Sequence, residues 1–155
     1  MALIGGGVIG GGWGARFLLN GIDVNVFDPS DTAERSLNEM LSNARRAYSK
    51  LTMAPLLNPG KLIILDSLEK AVKDVDFVQE STLEHLDSKR SIVNKIDRYT
   101  SENVLVCSSS SDLKPSLLQA DMKHPERFMV GHPFDPVYLL PLVEVCGGKK
   151  TSEDA

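Results

Sequence analysis

The glycine-rich stretch Leu3-Ile4-Gly5-Gly6-Gly7-Val8-Ile9-Gly10 sets the expected architecture of this 155-residue chain. Gly5, Gly7 and Gly10 satisfy the pattern G-x-G-x-x-G, with a short apolar strand before them and a predicted helix over Trp13–Leu19 after them. The first glycine of such a motif allows a tight turn, and the second lets a pyrophosphate approach the backbone. The third lets the helix pack closely on the strand, with its N-terminus facing the phosphates. The stretch therefore predicts a dinucleotide-binding unit.

An acidic residue stands where a ribose-binding carboxylate is expected. Asp28 ends the apolar alternation Val24–Phe27, close to the spacing of about 20 residues seen in dinucleotide-binding units. With Asp31 nearby and no arginine directly after Asp28, a 2′-phosphate would be repelled, which favours NAD over NADP. The alternative is a glycine turn without a ligand and an ordinary turn aspartate. The contacts predicted in this region are Gly5, Gly6, Gly7, Val8, Ile9, Gly10 and Asp28.

The composition is that of an ordinary globular domain, with 42% hydrophobic and 25% charged residues. A net charge of −4 argues against nucleic acid or an anionic membrane as a partner. No apolar run approaches the length of a membrane span, so we expect a cytoplasmic protein. Cys107 and Cys146 each close a predicted strand without metal-binding spacing. They are predicted to be reduced and buried, and no metal site is predicted.

Short apolar runs alternate with helical segments along the chain, which favours a parallel sheet with crossover helices. Ser67 is a candidate N-cap for one short helix, and Pro55, Pro59 and Gly60 interrupt the chain before the third strand. We predict a single α/β domain over residues 1–155 with a Rossmann-type, doubly wound, mostly parallel sheet. The predicted strands beyond Asp28 are 62–65, 75–80, 104–107, 128–131 and 142–146, and the predicted helices are 32–50, 68–73, 87–99 and one from Pro115.

Ligands of open parallel sheets bind outside the carboxyl ends of the strands. The polar features predicted there are Asp28, Glu80 with Glu84, the serine run 108–111, and His132. The serine run is equally compatible with a solvated loop whose hydroxyls cap the next turn. Glu84 and Lys89 are equally compatible with surface charges at the start of a helix.

Glu144 is the only charged residue of its apolar strand, and a buried carboxylate is costly unless another group pairs with it. His132 is the candidate partner, because a histidine held by a carboxylate makes a good general base. Two alternatives stay open: Glu144 points to solvent at a sheet edge, and His132 bonds a backbone carbonyl.

The sequence Gly-His-Pro-Phe-Asp-Pro at Gly131–Pro136, followed by Leu-Val-Glu-Val at Leu142–Val145, resembles the signature of the 3-hydroxyacyl-CoA dehydrogenase family. The glycine turn, Asp28, residues 79–89 and the serine run match in the same order. The resemblance therefore covers essentially the whole chain.

This resemblance implies a general base at His132, oriented by Glu144, that takes the hydroxyl proton while C3 of the substrate gives a hydride to NAD. Ser111 would contact the substrate oxygen and the cofactor, and Glu84 and Lys89 would lie along the nicotinamide half. The cofactor contacts implied beyond the glycine turn are Asp28, Glu84, Lys89, Ser111 and Asp135.

Asp135 departs from the family pattern, which usually has asparagine there. A carboxylate only accepts hydrogen bonds, and a negative charge near His132 would favour its protonated form and make it a poorer base. The polar run 149–155 resembles the opening of a further helix, and family members continue into a helical domain that completes the substrate pocket and forms a homodimer. We therefore expect a fragment that binds NAD but turns over slowly or not at all.

The stretch Val137–Leu142 is similar to the branch of the family that acts on L-carnitine. Acyl-CoA members carry a lysine-rich helix after the ribose aspartate, whereas this chain has Glu34 and Glu39 there and its Arg45 and Arg46 come late. A phosphate-rich ligand would be attracted less, which favours oxidation of a small zwitterion such as carnitine. The alternatives are a 3-hydroxyacyl-CoA (3-hydroxybutyryl-CoA) dehydrogenase and a non-catalytic, crystallin-like NAD-binding member.

Overall fold

The computed structural model describes residues 1–51 and 57–155, so the predicted break at Pro55 lies outside the described residues. The strands are β1 (Ala2–Ile4), β2 (Val24–Phe27), β3 (Leu62–Ile64), β4 (Phe77–Glu80), β5 (Leu105–Ser108), β6 (Phe128–Pro133) and β7 (Val143–Gly147). The helices are α1 (Val8–Leu19), α2 (Ala33–Leu51), α3 (Leu68–Ala71), α4 (Leu86–Tyr99), α5 (Pro115–Leu118) and a 3-10 turn (Pro125–Arg127). Within the described ranges, no helix combines the length and apolar character needed to cross a membrane.

These strands form one sheet in the order β3-β2-β1-β4-β5-β6-β7. Every neighbouring pair from β3 to β6 is parallel, and β7 runs antiparallel to β6. The predicted doubly wound, mostly parallel sheet is confirmed. The chain leaves β1 toward β2 on one side and later returns to β4 on the other, so a topological switch point lies beside the glycine turn.

Apolar side chains cover both faces of the sheet. Ala2 and Ile4 of β1 face the layer that contains α3, α4 and α5, while Leu3 faces the layer that contains α1 and α2. All three side chains are at most 1% exposed. Burial on both faces explains why β1 is a continuous apolar run rather than an alternating one.

Helix α1 begins at Val8, one turn and more before the predicted start at Trp13. Glycines lower helix propensity by about 1 kcal/mol each, which hides the first turn from the sequence pattern. Packing explains them, because a Cβ at Gly10 would overlap the carbonyl oxygen of Gly5, and one at Gly12 would lie 2.8 Å from Cβ of Val137.

Two further expectations are wrong. Cys107 is buried, which raises the pKa of its thiol to about 12, but Cys146 is exposed because β7 is the edge strand. The polar run 149–155 forms turns instead of a helix. There the Thr151 hydroxyl donates to the carbonyl of Phe128 at 2.6 Å and accepts from the amide of Gly148 at 2.8 Å, which satisfies backbone groups without helical bonds.

The predicted N-cap of α3 is confirmed, since the Ser67 hydroxyl accepts from the amide of Lys70 at 3.3 Å. We expect Ser67→Ala to lower the free energy of unfolding by about 1 kcal/mol, because one amide of the first turn loses its partner. Ser67→Asp is the matched control, since an aspartate can cap the same position. Urea denaturation of the three proteins measures the difference, and equal midpoints for the alanine variant and the parent would contradict the role of the cap.

Candidate dinucleotide and catalytic site

The glycine turn lies between β1 and α1 at the switch point, and two of its glycines are required by the protein itself. Gly5 has φ +94°, in the left-handed region, and a Cβ there would lie 2.6 Å from the carbonyl oxygen of Ser81. Gly10 allows α1 to rest on Gly5. Close contact between β1, α1 and the end of β4 therefore depends on these two residues.

Gly7 needs a different explanation. A Cβ built there meets no atom within 4 Å, so no packing in the described structure requires glycine at this position. Gly7 is also the N-cap of α1, which has no side-chain cap and no acidic residue in its first turn. The free amides of that turn and the open space above them suit an anionic group that approaches the backbone closely.

Asp28 is held at the rim of this turn. Its Oδ2 accepts from the amide of Gly6 at 2.6 Å, and its Oδ1 accepts from the amide of Ser30 at 2.8 Å. These bonds fix the carboxylate between two cavities that share Gly7 and Asp28 in their walls. The arrangement fits the predicted ribose contact.

The first cavity has a volume of about 370 Å³ and is lined by Phe27, Leu83 and Ile92 together with the glycine turn. Its apolar walls suit a flat aromatic base. The second cavity, also about 370 Å³, contains hydroxyl groups, Asp28 and Glu39, and no lysine or arginine is among the described residues that line it. A 2′-phosphate would meet negative charge there. The residues present therefore fit NAD better than NADP.

A buried ionic cluster joins β4, β5 and α4 behind the site. Glu80, at the end of β4, is fully buried and accepts two bonds from Lys89 Nζ at 3.0 and 3.1 Å. It also accepts from the amide and hydroxyl of Thr82, each at 2.6 Å, and from the hydroxyl of Ser108. Sequence reasoning placed Glu80 at this edge but missed its burial. Lys89 is therefore not a surface charge at the start of a helix, because its side chain is only 1% exposed.

Glu84 binds the turn that follows β5. Its Oε1 accepts from the hydroxyl of Ser110, from the amide of Ser111 at 3.0 Å and from the amide of Asp112 at 3.2 Å. Its Oε2 lies 3.4 Å from Lys89 Nζ. Partial burial alone would raise the pKa of Glu84, but the bonds from Ser110 and Asp112 and the charge of Lys89 together lower that pKa below its ordinary value.

The serines of the run 108–111 differ in burial and in hydrogen bonding. Ser108 is buried within β5, and the Ser110 hydroxyl accepts from the amide of Leu113 at 3.2 Å, as expected for hydroxyls that cap the next turn. Ser111 is exposed at the carboxyl end of the sheet, where its hydroxyl is accessible to a ligand.

His132 and Glu144 stand opposite each other in the antiparallel β6–β7 ladder. His132 Nδ1 lies 3.1 Å from Glu144 Oε2. The imidazole is 32% exposed and the carboxylate 66% exposed, so the expectation of a buried Glu144 is wrong. Glu144 therefore faces solvent, as the alternative expected, and also contacts His132. Its carboxylate is exposed because β7 is the edge strand and has no further strand beside it in the described sheet.

The orientation of the imidazole follows from this contact. A carboxylate accepts only, so Nδ1 carries the hydrogen and Nε2 of a neutral ring is the acceptor. In residues 1–51 and 57–155, His132 Nε2 forms no hydrogen bond. Asp135 is exposed in the loop after β6, and its side chain makes no hydrogen bond or ion pair to the described residues. Its predicted effect on His132 stays a prediction.

A family model described as "3-hydroxyacyl-CoA dehydrogenase, NAD binding domain" matches residues 1–155. The chain is 57% identical over 153 residues to an L-carnitine dehydrogenase/betainyl-CoA thioesterase of Rhizobium meliloti (strain 1021), covering 99% of this chain and 31% of that protein. It is 52% identical over 155 residues to an L-carnitine dehydrogenase of Mesorhizobium japonicum, covering 99% of this chain and 43% of that protein. The chain thus spans between about a third and a half of the length of such curated relatives.

Solved structures give the same picture of the fold. The chain superposes on an NAD+-dependent 5-formyl-3-hydroxy-2-methylpyridine 4-carboxylic acid 5-dehydrogenase with a TM-score of 0.89 and 30% identity, covering 99% of this chain and 50% of that one. A 3-hydroxybutyryl-CoA dehydrogenase from Escherichia coli K12 gives a TM-score of 0.86 at 23% identity, with coverage of 99% and 33%.

Proposed function

This chain belongs to the 3-hydroxyacyl-CoA dehydrogenase family as its NAD-binding domain, and on that premise we propose that it carries the cofactor site and the catalytic base of an enzyme that oxidises L-carnitine to 3-dehydrocarnitine. The observation that carries the proposal is the contact between His132 Nδ1 and Glu144 Oε2 at 3.1 Å, on the side of the sheet where the parallel strands end and where the glycine turn also lies. Bound NAD would supply the hydride acceptor.

The cofactor would be held by the switch-point residues. The amides of the first turn of α1 and the space at Gly7 would receive the pyrophosphate. Asp28, fixed by the amides of Gly6 and Ser30, would accept from the adenosine ribose hydroxyls, and the apolar cavity beside it would take the adenine. Sites for the pyrophosphate, the ribose and the adenine, all on the side where the parallel strands end, support NAD as the ligand.

His132 would act on the substrate hydroxyl. Its free Nε2 would take the hydroxyl proton as C3 loses its hydride, and Glu144 would stabilise the imidazolium that forms. Ser111, exposed on the turn after the neighbouring strand β5, would donate to or accept from the substrate oxygen. The proton thus moves from the substrate oxygen to Nε2 and later to solvent.

Support for carnitine comes from charge and from the relatives. The wall formed by α2 and the turn before it, beside the glycine turn, presents Glu39 and the hydroxyls of serine and threonine residues, a poor surface for the phosphates of coenzyme A. Relatives named L-carnitine dehydrogenase match almost all of this chain at 43% identity or more.

We propose that the full-length protein acts as a cytoplasmic homodimer.

The test follows NADH formation by the full-length protein with L-carnitine and, separately, with 3-hydroxybutyryl-CoA. We expect turnover of carnitine alone. Turnover of the CoA ester alone would overturn the substrate assignment, and silence with both substrates despite NADH binding would overturn the assignment as a dehydrogenase of either kind.

A further inference from the structure

Helix α1 has a notch at Gly12, and the side chain of Val137 fills it. A Cβ built at Gly12 would lie 2.8 Å from Cβ of Val137, 3.1 Å from its Cγ2 and 3.7 Å from its Cα. Val137 is only 1% exposed, although it belongs to the loop 134–142 between β6 and β7. At this separation the close-packed contact leaves no room for a further methyl group on α1.

Two other contacts hold the same loop on α1. Nη1 of Arg16 donates to the carbonyl oxygen of Val137 at 3.4 Å. The side chain of Tyr138 packs against the apolar cluster that joins α1 to α2, formed by Ala15, Leu19 and Ala44. The middle of the loop is therefore docked on α1 through a buried side chain, a hydrogen bond to its backbone and an apolar contact.

The loop is also bonded to itself. The amide of Phe134 donates to the carbonyl of Leu142 at 3.2 Å, which extends the β6–β7 pairing by one residue. The amides of Leu139 and Leu140 donate to the carbonyl of Pro136 at 2.9 and 3.0 Å. Because these bonds give the loop a defined shape, a displacement of its middle is transmitted to its ends.

The first residue of the loop lies beside the proposed catalytic base. The ring centroid of Phe134 is 6.0 Å from that of His132, and Phe134 is 37% exposed. A ring that stands next to the imidazole and is partly open to solvent limits the space in which a substrate can approach His132. The position of Phe134 therefore bears on which substrates fit.

We propose that Gly12 and Val137 are positioning residues: their contact docks the loop 134–142 on α1 and thereby fixes the wall of the substrate site at Phe134. The inference rests on the proposed function for the position of the substrate. It adds that Val137 and Tyr138, which begin the stretch similar to the carnitine branch, act on specificity through the docked loop, since both side chains pack on α1.

The same helix would then position both ligands. The first turn of α1 would receive the pyrophosphate of the cofactor, and its second turn, at Gly12, holds the loop beside the substrate. A displacement of about 1 Å between two such groups is enough to lower the rate of a reaction about 100-fold. The notch at Gly12 is therefore expected to affect turnover without touching either ligand.

The test adds one methyl group to α1 at two positions. Gly12→Ala places it against Val137. Gly14→Ala is the matched control, because its Cβ would lie 3.4 Å from Leu3 and 3.7 Å from Leu37, in ordinary contact with side chains and away from the loop. The double variant Gly12→Ala/Val137→Gly removes the Cβ that the new methyl group would overlap and leaves a Cα at 3.7 Å.

Trp13, the single tryptophan of this chain, reports whether the loop is docked. It is 8% exposed and lines a cavity of about 110 Å³ together with Pro133, Val137, Leu140 and Pro141. Its emission maximum and its quenching by acrylamide are measured in this chain, as is the NADH Kd. The kcat and KM for L-carnitine are measured in the full-length protein, well below the melting temperature of each variant.

We expect Gly12→Ala to shift the emission of Trp13 to longer wavelength and to increase its quenching, because the loop leaves α1. The kcat/KM for L-carnitine should fall about 10- to 100-fold, and the NADH Kd should stay unchanged. Gly14→Ala should change none of these quantities. The double variant should recover most of the kcat/KM that Gly12→Ala loses.

Unchanged emission and quenching in Gly12→Ala would overturn the docking contact. A displaced loop with the parental kcat/KM would overturn its role in positioning. A rise in the NADH Kd as large as the fall in kcat/KM would also overturn that role, because the loss would then come from a shift of α1 itself.

Val137→Ala keeps the proposal testable if Gly12→Ala does not fold. It shortens the buried side chain without introducing an overlap, so the same readouts should change in the same direction by smaller amounts, and parental values would contradict the proposal. If the parent protein turns over no hydroxy acid, the proposed function fails and the substrate role of the loop fails with it. The fluorescence of Trp13 still decides whether Gly12 docks the loop.

Discussion

Gly7→Ala is expected to leave the melting temperature of the protein unchanged and to weaken NADH binding by about 10- to 100-fold. The methyl group enters open space, since no atom lies within 4 Å of its position, and the φ of −64° suits alanine. In the complex the same space would belong to the pyrophosphate, and a misplaced methyl costs about 1–3 kcal/mol when it crowds a packed contact. Thermal denaturation and fluorescence titration with NADH measure the two effects.

Gly10→Ala is the matched partner of that variant, with the opposite result for stability. Its methyl group would overlap the carbonyl oxygen of Gly5, and a backbone atom between β1 and α1 has little room to move. We expect loss of the cooperative thermal transition, or a fall of several degrees in its midpoint. Equal NADH affinity in Gly7→Ala and the parent would show that the pyrophosphate does not pass over Gly7.

His132→Asn in the full-length protein is expected to lower kcat by about 10²- to 10⁴-fold, the usual contribution of a general base. NADH affinity should stay unchanged, because in the proposed mechanism Nε2 of the imidazole would face the substrate rather than the cofactor. His124→Asn is the matched control, since that ring lies near Glu126 before the start of β6, away from the carboxyl ends of the strands. Steady-state kinetics with L-carnitine and NADH titration separate the two quantities.

Substitutions of Glu144 distinguish two of its proposed roles in the same assay, the orientation of the His132 ring and the stabilisation of its charged form. Glu144→Gln can still accept from Nδ1 and keep the ring oriented, but it no longer stabilises the imidazolium. We expect the kcat of Glu144→Gln to fall less than that of His132→Asn, and the kcat of Glu144→Ala to fall further than that of Glu144→Gln.

For the first of these variants, a His132→Asn enzyme with the parental kcat would exclude His132 as the base.

The parts of this structure that could be predicted from the sequence are those set by local patterns. The glycine turn follows from G-x-G-x-x-G and its flanking strand and helix, and the sheet follows from the alternation of apolar runs and helices. His132 and Glu144 were expected as partners because an apolar strand with one charge follows the histidine loop. Each of these inferences depends on neighbours in the chain.

The parts that could not be predicted depend on which elements become neighbours in space. Glu80 was expected among the polar groups at the carboxyl ends of the strands, and a surface charge was one of two interpretations of Lys89, since charged residues are seldom fully buried unless paired. Only the crossing of α4 behind β4 creates that pair. Likewise, the exposure of Cys146 follows from the edge position of β7. A single strand's composition does not reveal where in the sheet it lies.

The register between β6 and β7 has a consequence for how such an enzyme can diversify. His132 faces Glu144 because Gly131, Pro133 and their opposite residues are hydrogen-bonded or paired in the same ladder, so backbone pairing alone maintains the contact. The intervening segment 134–142 does not maintain this contact, although Val137 within it is buried against α1. The exposed side chains of the segment can therefore change to admit a different substrate while the pair proposed for proton transfer stays in place, so that substrate specificity evolves separately from the chemical step.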